Sequence, residues 1–398
     1  MSQELLAESI GLSKTDIEAV RRPLAEASLL PSKIYSDRAI FEAERERIFA
    51  KSWLPVCHVS SLEKAGDFVA RTLVGEAVIA VRGRDDGIRV MSNVCRHRNT
   101  VLTRGSGSCK GGRIMCPYHG WTYGLDGKLL AAPFMEEAKG FARRSITLPE
   151  FKSEIWHGFL FVNFDEDARP LLEQVAPFEA QIAPYRFEDM EAFELRRSTL
   201  PWNWKISLEN FSEAYHQPWV HPKTADHDFP ASMAKYYDTN NSYSVFSLFQ
   251  RNGEAIPLFS DAIEGLSDSL MKSITVFNLY PYMHGLTDPA TPLILDFNIV
   301  NENEHELVWT LLLPKGSRGK LTREADLENF RSFIEPILTE DTDVCTDVGL
   351  GVRSRFTVQG RLSHMEKSIH QFHLWWLDKM VGTSANRTVD GLLDAVAS

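Results

Sequence analysis

The chain has 398 residues, 43% hydrophobic and 24% charged, which describes an ordinary globular protein too long for one core. Its net charge of −11 argues against nucleic acid and anionic lipid as partners. No apolar run is long enough to span a bilayer, and no basic stretch followed by an apolar core opens the chain, so no export signal is read and a cytoplasmic location is expected.

Residues 14–29 carry Ile17, Val20, Leu24 and Leu29 at helical spacing, with Pro23 as a break. Ser36-Asp37 reads as the N-cap of a second helix with Phe41, Ile48 and Phe49 on its apolar face. This lead-in, residues 1–50, is expected to pack rather than to carry chemistry. From Trp53 the period becomes strand-like, with strands expected at Leu54–Val59, Phe68–Leu73, Ala77–Arg82 and Ile88–Asn93. A hairpin over Trp121–Leu130 around Asp126-Gly127 and one apolar strand at Ile155–Phe164 complete an all-β module, residues 51–160.

Between those strands, Asn93–Tyr123 holds two short ligand modules, Cys95-x-His97 and Cys116-x-x-His119. Two thiolates and two imidazoles in the alternating order Cys, His, Cys, His suit a Rieske [2Fe–2S] cluster, in which one iron takes both sulfurs and the other both ring nitrogens. Zinc sites more often pair Cys with Cys and His with His along the chain. The chain has five cysteines, an odd number, which argues against a disulfide framework; Cys57, Cys109 and Cys345 read as ordinary thiols.

The remaining residues, 161–398, mix the two periods. Helices are expected at Pro170–Tyr185, Pro201–His216, Arg323–Leu338 and His364–Met380. Strands are expected at Phe193–Leu200, Tyr243–Phe249, Ile274–Tyr280, Leu293–Val300 and Glu306–Leu313, the last two joined by the turn Asn301–Glu304. The class is α+β, with helices laid against an antiparallel sheet. Within WNWKISLENFSEAYH, residues Lys205, Glu209, Ser212, Glu213 and His216 form a polar stripe at helical steps, and His221 follows beyond Pro218. His216 and His221 plus a carboxylate would make the facial triad of a non-haem Fe(II) oxygenase; satisfied core histidines are the alternative. The carboxylate candidates are Glu340, Asp341, Asp343, Asp226 and Asp228. Phe211, Phe277, Leu279, Tyr280, Phe297 and Trp309 are candidates to line an apolar pocket, with ordinary core packing as the alternative.

CRHR (95–98), CPYHGWTY (116–123), NWK (203–205), ENFSEAYH (209–216) with His221, and GVRSRFTVQGRLSHME (351–366) make the chain similar to the α subunits of Rieske non-haem iron oxygenases, the aromatic-ring-hydroxylating dioxygenase family. The resemblance covers nearly the whole chain. It implies a small all-β Rieske domain beside a larger helix-grip (START-like) catalytic domain. It implies that Cys95, His97, Cys116 and His119 hold the cluster. His216, His221 and Asp341 would hold the mononuclear iron, with Asp343 in reserve and Asn210 and Glu213 as catalytic neighbours. Glu213 stands where ring dioxygenases usually have Asp, a departure that resembles the branch acting on quaternary amines. The resemblance further implies a homotrimer in which Glu213 meets His119 of the next protomer.

The expected function is that of a terminal oxygenase, using O2 to hydroxylate an aromatic or heteroaromatic small molecule. The alternative is a monooxygenase that dealkylates or hydroxylates an N-methyl or quaternary amine, or an aryl ether. No Gly-rich dinucleotide fingerprint follows a strand, so NAD(P)H is expected to be used by a separate reductase or ferredoxin. A pure electron carrier would leave more than half of the chain unexplained, and a structural zinc protein would not show this ligand order. Iron analysis separates these readings: about three irons per chain for the oxygenase, about two for a carrier and none for a zinc protein.

Overall fold

The computed structural model describes residues 3–239, 242–256, 262–315 and 324–383. Ten strands fall between Leu54 and Asn163: β1 (Leu54–His58), β2 (Asp67–Leu73), β3 (Glu76–Arg82), β4 (Ile88–Ser92), β5 (Ser106–Ser108), β6 (Arg113–Met115), β7 (Thr122–Gly124), β8 (Leu129–Ala131), β9 (Glu150–Trp156) and β10 (Phe159–Asn163). Seven make one antiparallel sheet in the order β1-β10-β9-β4-β3-β2-β5, and β6-β7-β8 make a small second one. The two share a core in which Ile79, Val81 and Met91 meet Ile114, Trp121, Tyr123 and Leu129. The expected single strand at Ile155–Phe164 is instead the turn of a hairpin. His157 and Gly158 both adopt positive φ, 43° and 77°, which suits a two-residue turn, and Phe159 pairs back onto Trp156. Glycine is required there: a Cβ on Gly158 would lie 2.4 Å from His58 Nε2.

A second antiparallel sheet follows, from β11 (Met190–Leu200), β12 (Lys235–Tyr236), β13 (Tyr243–Phe249), β14 (Ser273–Leu279), β15 (Met283–Thr287), β16 (Leu293–Asn301) and β17 (Glu304–Pro314), in the order β11-β17-β16-β15-β14-β13-β12. Strand β15, MHGLT, has no alternating apolar pattern and was not expected. Its Gly285 lets β15 lie close to the Phe277 ring, 2.1 Å from where a Cβ would sit. Period two then sorts the residues of this sheet. Leu295, Phe297, Trp309 and Leu311 face one core, and Phe277, Leu279, Ile294 and Leu312 face another.

Three helical expectations are revised. Pro170–Tyr185 is broken at Pro177 and Pro184 into short turns, because neither proline can donate to a continuing helix. Of Pro201–His216, only Trp204–Asn210 is α-helical, N-capped by Asn203, whose side chain accepts from Lys205 N at 3.1 Å. In contrast, the helix expected at Arg323–Leu338 runs over Glu324–Gly351, through Pro336; Arg323 itself lies outside the described residues. The last helix, Lys367–Val381, buries Phe372, Trp376, Leu377 and Met380. Among the described residues no helix is long and apolar enough to cross a membrane.

The lead-in stitches these parts together. The Lys14–Arg21 helix starts in a capping box between Ser13 and Asp16, and the Arg38–Arg47 helix is capped by Asp37. Its Ile40 and Phe41, with Phe49 just beyond, belong to a core that also contains Val78, Trp309 and Trp376. In this core Glu44 and Lys205, both fully buried, form an ion pair at 2.7 Å. Trp376 Nε1 donates to the same Glu44 oxygen at 2.6 Å, and the ammonium lies over the Tyr35 and Trp204 rings. Lys205 and Glu209 therefore point into the core, away from Glu213 and His216, and the expected single polar stripe is divided in two. Burial pulls the Lys205 pKa down while Glu44 opposes the shift. Lys205→Met would leave the Glu44 charge buried and unpaired, and is expected to cost about 3–5 kcal/mol in denaturant unfolding, with much of the loss recovered by adding Glu44→Leu.

Candidate active site

The two ligand loops are copies of one backbone motif. In the first, Cys95 N donates to Thr100 O at 2.9 Å and Asn99 N to Cys95 O at 3.1 Å. In the second, Cys116 N donates to Trp121 O at 2.7 Å and Gly120 N to Cys116 O at 3.1 Å. Asn99 (φ 53°) and Gly120 (φ 70°) supply the left-handed residue at the same place in each loop. Both cysteines are buried, and both histidines are exposed with ring centroids 4.7 Å apart. Trp121 stacks flat on His97 at 4.8 Å. Tyr123 Oη accepts from Arg96 N at 3.0 Å, so its proton is free for Cys95 Sγ at 3.3 Å.

Thiols inside and imidazoles outside are the polarity a cluster with one sulfur-bound and one nitrogen-bound iron requires. A single zinc fits poorly: among the described residues, the one set of three or more ligand atoms all within 4.8 Å of one another lies elsewhere.

That set is His216, His221 and Asp341. After the Trp204–Asn210 helix the chain turns through Glu213 to His216, makes one short helix, Gln217–Val220, and presents His221. The long Glu324–Gly351 helix brings Asp341 across from them. Asp341 Oδ1 lies 2.9 Å from His221 Nε2 and 3.6 Å from His216 Nε2. The other ring nitrogens are committed to carboxylates: His216 Nδ1 to Glu213 at 2.5 Å, His221 Nδ1 to Glu340 at 2.8 Å. Thr224 Oγ1 donates to Glu340 at 2.7 Å, and Asn210 Nδ2 donates to Asp341 at 2.9 Å. Each Nε2 is thus aimed at one point by a carboxylate behind the ring, the usual support of a metal-binding imidazole.

Electrostatics calls for a cation at that point. Burial opposes charge on His216, but its hydrogen bonds to Asp341 and Glu213 outweigh it and raise its pKa to about 10. Burial also opposes charge on Asp341, yet the two histidines hold its pKa down to about 2. With Glu213 and Glu340 adjacent, the cluster of carboxylates needs positive charge, and a divalent ion would supply it by displacing the protons. Two imidazoles and one carboxylate match a non-haem ferrous site with open positions.

The other carboxylate candidates are placed elsewhere. Asp343 is exposed. Asp226 accepts from Ala231 N at 2.8 Å, and Asp228 pairs with His227. Glu340, one of the expected candidates, supports His221. Thr224 carried no signal of its own in the sequence.

A cavity of about 150 Å3 opens beside His216, His221 and Asp341. Phe211, Phe229, Phe246, Leu248, Ile274, Val276, Leu286 and Trp309 line it, with Glu213, Asp288 and Asp341 as its acidic residues and no Lys or Arg among the described lining residues. Of the residues expected from the sequence to line a pocket, Phe211 and Trp309 do. Phe277 and Leu279 face the opposite side of the sheet, and Tyr280 and Phe297 are in the core.

Comparison with known proteins finds two family matches along the chain. Residues 52–151 match the Rieske [2Fe-2S] domain, and 186–382 match the ring hydroxylating alpha subunit (catalytic domain). The carnitine monooxygenase oxygenase subunit of Acinetobacter baumannii is 36% identical over 343 residues, 83% of this chain and 87% of that one. The 2,4-dinitrotoluene dioxygenase large oxygenase component of a Burkholderia species is 35% identical over 197 residues, 47% of this chain and 43% of that one. A crystal structure of a quaternary ammonium Rieske monooxygenase bound to an inhibitor superposes with a TM-score of 0.78 at 25% identity, covering 91% of this chain and 98% of that one.

Replacing Asp341 separates it from its neighbour on the same helix. Asp341→Ala is expected to lose about one of roughly three irons per chain, whereas Asp343→Ala keeps them all, as read by elemental analysis against acid-labile sulfide.

Proposed function

This chain belongs to the Rieske non-haem iron oxygenases: it is a terminal oxygenase component, and we propose that its substrate is a small N-methylated amine rather than an aromatic hydrocarbon. The observation that carries this reading is the cavity, walled by aromatic and aliphatic side chains and acidic where it meets the ligands. Aromatic faces attract an alkylated ammonium, and carboxylates at the same wall add a Coulombic attraction for its charge. The comparisons support the same choice: the carnitine monooxygenase subunit matches over 83% of the chain, and the dioxygenase component over 47%.

In this proposal Cys95, His97, Cys116 and His119 hold the [2Fe–2S] cluster, and His216, His221 and Asp341 hold the mononuclear iron. When bound, these groups supply one-electron transfer and O2 activation, with reducing equivalents from a partner reductase. The chain's own residues set the conditions. Glu213 and Glu340 fix the two imidazoles as neutral Nε2 ligands, and Asn210 holds the Asp341 carboxylate in place. Phe211, Phe246, Val276 and Trp309 keep water from the cavity and press the substrate toward the ligand side.

A homotrimer is part of the same proposal. Met115 and Tyr118 are exposed beside the cluster loops, and Tyr215 and Trp219 beside Glu213, which suits faces covered by a second copy. In such an assembly His119 of one protomer would approach Glu213 of the next.

Product analysis over a panel of amines and aromatics with a surrogate reductase tests the substrate class. Release of a methyl group as formaldehyde, or addition of a single oxygen to an amine, supports the reading. Addition of two oxygens to an aromatic ring overturns it. Glu213→Gln is expected to keep both metals while lowering turnover by about 10–100-fold, and wild-type turnover in that variant would remove Glu213 from the machinery.

A further inference from the structure

His284 lies on β15 directly opposite Asn278 of β14, on the sheet face that lines the cavity, and it is fully buried. Its ring packs at 5.3 Å from Phe211. Hydrogen bonding fixes its tautomer. Ser212 Oγ donates to Leu208 O, so it can only accept from Asn278, which places the Asn278 Nδ2 group on the Ser212 side at 3.0 Å. The same Nδ2 donates to Ser244 Oγ at 3.1 Å. Asn278 Oδ1 therefore faces His284 Nδ1 at 2.8 Å and accepts the imidazole proton. His284 Nε2 is left as a bare lone pair, buried and without a partner among the described residues. Burial also pushes the His284 pKa down to about 3, so the ring stays neutral and Nε2 carries no proton to donate. A buried acceptor without a donor is costly, and at the edge of a cavity the cost is relieved by a ligand that brings one.

We propose that His284 Nε2 is the acceptor that orients the substrate, and that the substrate therefore carries one O–H or N–H group in addition to the carbon that is oxidised. The Ser212–Asn278–His284 chain starts on the turn that carries Glu213 and His216, so the acceptor and the metal ligands are held in one frame. A substrate anchored at Nε2 has its reach toward His216, His221 and Asp341 set by the distance between its donor and its reacting carbon. This rests on reading the cavity as the substrate site.

The test is calorimetric binding to the metal-loaded full chain, wild type against His284→Phe, with three pairs of probes in which methylation removes the donor. Choline and O-methylcholine report on an O–H, trimethylammonium and tetramethylammonium on an N–H, and phenol and anisole on an O–H without an amine. A donor recognised by a buried acceptor is expected to bind at least about 100-fold more tightly than its methylated partner in wild type, and about equally in His284→Phe. His284→Gln retains an acceptor and is expected to restore part of the preference, which guards against a merely structural effect of the Phe ring. A donor preference in the phenol pair alone would overturn the amine reading and uphold the role of His284. If no donor binds in preference to its methylated partner in wild type, or if the preference survives in His284→Phe, the inference fails.

Discussion

A buried ion pair, Lys205 with Glu44, is the contact on which the rest of the site's geometry depends. It joins three segments far apart in the chain, because the Glu44 oxygen that accepts from Lys205 also accepts from Trp376 Nε1. Beside it, Glu209 Oε1 accepts from Tyr35 Oη at 2.6 Å and lies 2.9 Å from His373 Nε2. The Trp204–Asn210 helix is thereby clamped against both the lead-in and the last helix. A fully buried pair is an expensive way to hold a helix, since desolvation offsets much of the attraction. Its use here is specificity of placement, because only one rotation of the helix satisfies Lys205 and Glu209 together. That rotation leaves Asn210 and the turn beyond it facing the second sheet.

The two metal centres are built on opposite principles. Each cluster loop closes on itself through the same pair of backbone hydrogen bonds, so the positions of Cys95 and His97, or of Cys116 and His119, are set within a few residues. The mononuclear site is assembled across the chain. His216 and His221 are close in sequence, but Asp341 and Glu340 come from a helix more than a hundred residues later. An electron-storing centre needs little beyond fixed ligands, whereas an O2-activating centre needs a cavity, and a cavity needs walls from several elements. The second sheet supplies those walls through its pleat, with Ile274 and Val276 on β14, Leu286 on β15 and Trp309 on β17 pointing into the same space.

What could be read directly from the residues was what short spacing encodes. Cys95, His97, Cys116 and His119, the paired His216 and His221, the caps at Ser13 and Asp37, and the antiparallel strands were all legible because each rests on neighbours within a few positions. Tertiary structure alone decided the rest. The family resemblance favoured Asp341 over Asp343, but their residue chemistry is the same; roughly 200° of helical rotation separates them, and only Asp341 faces the histidines. Glu340 became the support of His221 for the same reason. Phe277 and Phe211 looked alike as pocket residues until strand register put Phe277 on the far face of the sheet. His284 gave no signal at all, because a histidine in a short strand acquires its chemistry only when Ser212 and Asn278, brought together by the fold, fix which nitrogen holds the proton. Local periodicity specifies ligands and elements; the direction a side chain faces, and the proton it keeps, depend on contacts between residues remote in the chain.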